Sequence, residues 1–261
     1  MNESTVPSAT TPRVCIVTGA ARGIGEATAR LFAARGHRVA VLDKLGDAAR
    51  SVASDIEGGG GRGLAIACDV SRRADVEAAI EQTERDLGAI EVVVNNAGVG
   101  GPFHRVDEVS DEEWDWIIGT NLKSVFLFAR NVLPKMRARG FGRIVNVASI
   151  QGLQGSVHSS TYVASKHGMI GYTKTIAAEW GAHGITCNAV CPGYVDTAMG
   201  VQPDKVQDYL ARVLAKSPVP RVAQPDEVAS LIAYLSGDDA GYINGASFVI
   251  DGGITSHIGI T

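Results

Sequence analysis

The chain has few cysteines, no long apolar run and no excess of positive charge. Four cysteines, Cys15, Cys68, Cys187 and Cys191, stand in 261 residues. Cys15 and Cys68 lie in apolar, strand-like runs, where a reduced thiol packs as a small hydrophobe. Cys187 and Cys191 are four apart. His37, His104, His158, His167, His183 and His257 are scattered without ligand spacing, so no metal centre is expected. Reduced, structural cysteines point to a cytoplasmic location. No apolar run reaches the roughly 18 to 20 residues of a membrane helix. The formal charge is -4, and neither a basic stripe for nucleic acid nor a Lys/Arg cluster for an anionic membrane is present. Met1 to Pro12 lacks the apolar core of a signal peptide and reads as a flexible N-terminal tail over 1–12.

What the chain does have is 45% apolar residues, enough for a sizeable core. They fall into the runs Arg13–Thr18, Arg38–Leu42, Gly63–Cys68, Glu91–Asn95, Arg143–Ala148, Ile185–Val190 and Ala246–Ile250. These are nearly continuous rather than alternating, the mark of parallel strands buried on both faces. Helical patterns separate them. Gly23–Arg35 carries Ile24, Ala27, Leu31 and Ala34 on one face. A second helix opens at Ser110, where Ser110 and Glu113 spell a capping box, and runs to about Arg139 with Pro134 expected to kink its last turns. A third spans about Ser159–Gly181. A late one starts at Pro225 with Asp226 and Glu227 in its first turn.

Unbroken strand–helix alternation predicts an α/β fold: one doubly wound Rossmann domain over 13–261, with about seven parallel strands and helices on both faces. No repeat or composition shift divides it. Gly58–Gly61 reads as a flexible connection from helix to strand. The least regular segment is Pro192–Pro220, with a short helix expected around Asp204–Ala215. It follows a strand directly, where open α/β sheets bind ligands, so about 192–220 is the candidate substrate lid.

After the first strand comes Thr18-Gly19-Ala20-Ala21-Arg22-Gly23-Ile24-Gly25, leading into a helix. Glycines here allow a tight turn and close approach to a pyrophosphate, and the helix N-terminus supplies free N–H groups. The spacing is G-x-x-x-G-x-G. The second strand ends in Asp43, 18 residues beyond Gly25, where an acid meets an adenosine ribose. Its carboxylate would accept from the 2′-hydroxyl and repel a 2′-phosphate, which favours NAD over NADP. Arg22 and Lys44 pull the other way.

The strand ending at Ala148 leads to Ser149, placed to bond a substrate oxygen. Thirteen residues on, Tyr162-Val163-Ala164-Ser165-Lys166 sets Tyr162 and Lys166 on one helix face. For a phenol to act as a base near neutrality, its pKa must fall by about two to three units, roughly 3 to 4 kcal/mol. A nearby ammonium, together with the positive ring of an oxidised nicotinamide, would supply that.

With these residues in one chain, the sequence resembles a single-domain short-chain dehydrogenase/reductase. The resemblance covers Arg13 to Gly253 and also rests on Asp69-Val70, Asn95-Asn96-Ala97-Gly98, Asn121, Pro192-Gly193 and Asp251-Gly252-Gly253. It implies a catalytic tetrad of Asn121, Ser149, Tyr162 and Lys166. Tyr162 is then the general acid/base. Lys166 binds the nicotinamide ribose and lowers the Tyr162 pKa, and Asn121 carries a water relay to Lys166. It also implies cofactor contacts from Gly19, Ala21, Arg22, Gly23, Ile24 and Gly25 in the turn, from Asp43, and from Asp69 and Val70 towards the adenine. Asn96, Ala97 and Gly98, Tyr162 and Lys166, Pro192 and Gly193 would join them, with Val195 and Thr197 at the carboxamide end. A homotetramer or dimer is implied too, packed through the two longest helices and the last strand. Small residues Ala164, Gly168, Gly171, Ala177 and Ala178 permit close packing of the Tyr162 helix.

Val99 to Phe103, Ile150, Gln151, Leu153, Tyr194 and Met199 are the candidate pocket lining, with Gln151, Leu153 and Tyr194 the substrate contacts. All are uncharged, so a neutral ketone or secondary alcohol is expected. His158 is a weaker candidate. Sequence likeness runs closest to the 3-oxoacyl-thioester and polyketide ketoreductases, which mostly use NADPH and from which Asp43 departs. A non-catalytic dinucleotide-binding sensor on the same fold is the rival class, and the complete tetrad speaks against it. Arg137, Arg139 and Arg143 read as a solvated basic face. Trp114 and Trp116, two apart, face different ways, and at least one is expected to pack.

Overall fold

The structure is a computed structural model that describes residues 11–199, 211, 213–215 and 217–256. Its strands are β1 (Val14–Thr18), β2 (Arg38–Asp43), β3 (Arg62–Ala67), β4 (Ile90–Asn95), β5 (Gly142–Val147), β6 (Ile185–Pro192) and β7 (Ser247–Ile250). They form one parallel sheet in the order β3-β2-β1-β4-β5-β6-β7. The helices are α1 (Gly23–Ala34), α2 (Gly46–Gly58), α3 (Arg73–Asp86), α4 (Asp111–Ile118), α5 (Ser124–Arg139), α6 (Ser160–Trp180) and α7 (Pro225–Leu235). The expected fold class and strand runs hold to within a residue or two. The helix expected at Asp204–Ala215 falls outside the described residues, except for Ala211 and Val213 to Ala215.

The continuous apolar runs follow from two cores. In β1, Val14 and Ile16 join the core on one face, and Cys15 and Val17 the core on the other. Phe128 and Val132 of α5 and Ile80 of α3 fill the first. Phe32 of α1, Ile56 of α2 and Ile232 of α7 fill the second. A strand with helices on both faces has no side to give to polar residues. All four cysteines are free and buried.

Two sequence expectations are corrected here. The helix expected from Ser110 to Arg139 is interrupted by a π-turn at Gly119–Lys123. Gly119 is a poor helix former, and the Asn121 side chain bonds to groups outside the helix (below); such bulges recur at functional sites. The Arg143 side chain is not on a solvated face. It is buried at the amino end of the sheet, donating to Gly237 O, Gly142 O and Gly184 O. Arg139 likewise donates to Ile90 O.

Candidate active site

Chain order reverses between β1 and β4, and the loops that follow them open a cleft of about 390 Å³. Cofactors bind in open α/β sheets at such a switch point. Thr18 stitches the two loops: its Oγ1 accepts from Asn96 N and Ala97 N, both at 3.0 Å. Asn96 Nδ2 donates back to Thr18 O at 2.9 Å. The contact is so close that a Cβ on Gly19, where φ is +62, would lie 2.8 Å from Ala97 Cα. A Cβ on Gly25 would overlap Gly19 O. These positions admit only glycine, and the cradle they leave faces the first turn of α1.

Asp43 ends β2 with its carboxylate at the rim of this cradle. It accepts from Ala21 N at 3.2 Å and Leu45 N at 2.9 Å. Arg22 and Lys44, beside it, are exposed. Asp69 accepts from Ser71 Oγ and N at 2.7 and 3.0 Å, bonds that hold its carboxyl below the usual carboxylate range. Gly19, Arg22 to Ile24, Asp43, Asp69 to Val70, Asn96 to Gly98 and Thr197 line the cleft. Ala21 and Gly25 shape the turn from behind. Pro192, Gly193 and Val195 stand outside the lining: Gly193 packs on Asp251, and Val195 pairs with Ala223. A glycine cradle at a helix N-terminus and a carboxylate at ribose distance fit a dinucleotide.

The other end of the cleft reaches the tetrad. Asn121 is fully buried in the π-turn. Its Oδ1 accepts from Val99 N at 2.8 Å, and its Nδ2 donates to Val99 O at 3.0 Å and Ser165 Oγ at 3.1 Å. Ser165 Oγ donates to Tyr162 O at 2.7 Å. One network therefore joins the π-turn, the loop after β4 and the first turn of α6. Sequence reasoning missed Ser165, although its place three residues after Tyr162 marks it as facing the same way.

Lys166 is buried one turn after Tyr162, with Nζ 5.6 Å from the Tyr162 ring centroid. Nζ donates to Val147 O at 2.7 Å, at the end of β5. A Cβ on Gly98 would lie 3.6 Å from Lys166 Nζ and 3.4 Å from Asn121 Oδ1, so glycine there keeps open the space beside both. Burial pulls the Lys166 pKa down to about 8. The Ser149 side chain stands beside the Tyr162 phenol. Burial pushes the phenol's pKa up, and Ser149 opposes this. The drop expected from Lys166 is thus not what the protein's own groups produce, because the lysine is itself desolvated and bonded to a carbonyl. Ser149 Oγ also accepts from Gln151 N at 3.1 Å, which leaves the hydroxyl proton for the phenol or a substrate oxygen.

The periphery differs from expectation in several places. Tyr194 lines a second cavity of about 160 Å³, with Ile250 and Asp251, rather than the cleft. Gln151 Oε1 is buried without a partner, and Leu153 is exposed. His158 is exposed with φ +59. Ser110 caps α4 by accepting from Glu113 N at 3.2 Å, but the reciprocal half of the capping box is diverted: Glu113 takes His104 Nδ1 at 2.7 Å. Neither Trp114 nor Trp116 is buried, and Trp116 lines the cleft together with Leu45, Ser71 and Thr120. Of these only Ser71 and Thr120 had a signal in the sequence, as neighbours of Asp69-Val70 and Asn121.

A family model described as enoyl-(acyl carrier protein) reductase matches residues 19–255. The chain is 38% identical over 244 residues to a cyclohexanol dehydrogenase of Acinetobacter sp. strain SE19, covering 94% of this chain and 95% of that one. It is 36% identical over 242 residues to the 3-oxoacyl-acyl-carrier-protein reductase of Escherichia coli K12, covering 93% and 97%. The solved structure of levodione reductase superposes with a TM-score of 0.91 at 33% identity, over 95% of this chain and 99% of that one. The chain belongs to the short-chain dehydrogenase/reductase family, oxidoreductases that act on CH–OH/C=O pairs with a nicotinamide cofactor.

Proposed function

We propose that the chain interconverts a neutral ketone and its secondary alcohol with NAD, using Tyr162 as the acid/base. The observation that carries this is the buried Lys166 ammonium 5.6 Å from the Tyr162 ring, beside Ser149 and the Asn121–Ser165–Tyr162 network, at the carboxyl ends of the strands. When bound, the nicotinamide supplies or takes up the hydride. Tyr162 gives a proton to the substrate oxygen, or removes one from it. Ser149 holds that oxygen with its free hydroxyl proton. Lys166, a buried cation with donors to spare, meets the nicotinamide ribose, and the positive ring of the oxidised nicotinamide would add to it in favouring the phenolate. Asn121 fixes the loop after β4 against α6 and relays protons through water to Lys166.

Asp43 supports NAD. Its carboxylate is pinned by two backbone N–H groups at the cradle rim, where a 2′-phosphate would meet a fixed negative charge. Arg22 and Lys44 are exposed, and exposed cations offset little. Ala21 and Gly25 are read as shaping the pyrophosphate turn, Pro192 and Gly193 as backing the cofactor site, and Val195 and Thr197 as meeting its carboxamide end. Gln151 and Leu153 are read as the substrate contacts, the unpaired Gln151 oxygen supporting the first; Tyr194, in the second cavity, is not. We read residues 13–261 as one catalytic domain; the tail expected over 1–12 and the lid expected over 192–220 lie partly outside the described residues. We further read the chain as cytoplasmic and as a homotetramer or dimer. No helix among the described residues is long and apolar enough to cross a membrane, and the free, buried cysteines suit a reducing compartment.

The test is a panel of ketones and secondary alcohols with NAD(H) and NADP(H), joined to fluorescence titration of both reduced cofactors. The expected result is turnover with tighter NADH than NADPH binding. Tighter NADPH binding overturns the cofactor assignment, and binding without turnover on the whole panel leaves a sensor.

A further inference from the structure

The loop after β4 ties the catalytic centre to a strongly charged margin. It begins at Gly98, beside Lys166 Nζ, and is clamped at Val99 by Asn121. Farther along, His104 pairs with Ser159, three residues before Tyr162. The segment directly beyond carries exposed Asp107, Glu108, Asp111, Glu112 and Asp115. Its only cation, Arg105, is already spent locally: Nε lies 3.3 Å from Asp107, and its backbone N donates to Glu108 at 3.0 Å.

The facing segment, Ser149–Ser160, carries no acid or base except His158. Both segments carry apolar side chains open to solvent: Phe103 is 50% exposed, Val106 77% and Val157 84%. The cations of the cleft, Arg22 and Lys44, stand at the Gly-rich turn, at the cofactor's end. The margin of the site is thus apolar and bordered by a segment of net negative charge.

We propose that this margin selects substrates that are uncharged and apolar beyond the reacting carbonyl, and rejects the same carbonyl when it is carried on a polyanionic thioester such as coenzyme A or an acidic carrier protein. The inference rests on the ketone/alcohol reading above and narrows its substrate class. The apolar wall takes the non-reacting part of the substrate by burying it. The acidic margin faces whatever trails out of the site, and like charges at a rim act mainly on the encounter rate and its salt dependence.

The test uses the full chain and two esters of one acyl group: acetoacetyl-N-acetylcysteamine, which is neutral, and acetoacetyl-coenzyme A. The chemistry at the carbonyl is the same in both. At about 10 mM salt, kcat/KM should favour the neutral ester by about tenfold or more, and the gap should shrink as salt rises towards about 0.5 M. Lys205, Arg212 and Lys216 lie outside the described residues, and the salt titration counts them with the rest. Replacing Asp107, Glu108, Asp111, Glu112 and Asp115 by their amides should narrow the gap by raising the coenzyme A arm. If that variant fails to fold, the salt titration of the natural chain stands alone.

Equal or better use of the coenzyme A ester at low salt overturns the inference. So does a gap that salt leaves unchanged, which assigns rejection to shape. Inactivity on both esters overturns it as well, since the neutral ester meets every condition the inference sets. Whether the ketone/alcohol reading survives that result is then decided separately, by the panel of simple ketones.

Discussion

The sheet buries cations at both of its ends and treats them differently. At the amino end, Arg13 and Arg143 are 5% and 6% exposed. They flank the Phe141 ring at 4.2 and 4.3 Å from its centroid. Arg13 donates to Ser236 O at 2.7 Å and pairs with Asp238, and Arg143 reaches three carbonyls. At the carboxyl end, Lys166 is 2% exposed and donates to a single carbonyl, Val147 O. A guanidinium keeps its charge and spreads it over five donors; a buried ammonium with spare donors shifts its pKa instead. One end is satisfied and structural. The other is left unsatisfied, ready for a ligand.

The largest expected effect breaks the site without touching the staple. Tyr162→Phe should lower kcat by about 10²- to 10⁴-fold, the usual share of general acid/base catalysis. NADH fluorescence titration and the urea midpoint should stay as in the parent chain. Full activity in this variant would remove Tyr162 from the mechanism. The opposite experiment is Arg13→Ala. It leaves the Ser236 carbonyl without its partner and opens one face of Phe141, so it should cost about 1 to 3 kcal/mol in urea unfolding. The kcat of the folded fraction should not change. A loss of turnover at unchanged stability would mean that the two ends are not separable.

How much of this contrast was legible in the chain depends on the length scale. The strands could be read because burial on both faces forces unbroken apolar runs, and the turn Thr18–Gly25 because backbone approach forces glycine. Tyr162, Lys166 and Ser149 could be read because helix period and strand end place them. Arg143 was misread. Its neighbours Arg137 and Arg139 suggested a solvated cluster, and the carbonyls of Gly184 and Gly237 that bury it are more than forty and ninety residues away. The π-turn at Asn121 was hidden for the same reason: its side chain bonds Val99 and Ser165, contacts with no local pattern. Periodicity sees one element at a time. Polar satisfaction is a property of several.

A middle-sized effect sharpens the contrast through pH. The Lys166 pKa in the folded chain is about 8, below its ordinary 10.5. Between those values the unfolded chain binds the extra proton, so stability rises with pH across that window. Below about pH 8 both states are protonated, and the full burial penalty, about 3 kcal/mol, is present. Unfolding free energies of the parent chain and Lys166→Met, compared from pH 7.5 to 10.5, should therefore converge as pH rises, with the variant the more stable at the acid end. Parallel curves would show that Lys166 is not strained by its burial. Turnover should be lost in the variant throughout, the trade of stability for activity that an under-satisfied site implies.

The smallest effect is the most discriminating for the amino end. Asp238→Asn removes the carboxylate paired with Arg13 among the described residues and leaves the Ser236 carbonyl and the Phe141 ring in place. The Asp238 side chain is 65% exposed, so the pair lies largely in water and should contribute about 1 kcal/mol or less, vanishing in about 1 M salt. A loss as large as that of Arg13→Ala would show that the staple is an ion pair. The small loss expected here would show that carbonyls and an aromatic face hold these arginines. The two ends of the sheet would then differ not in charge, which both bury, but in how many acceptors each cation is given.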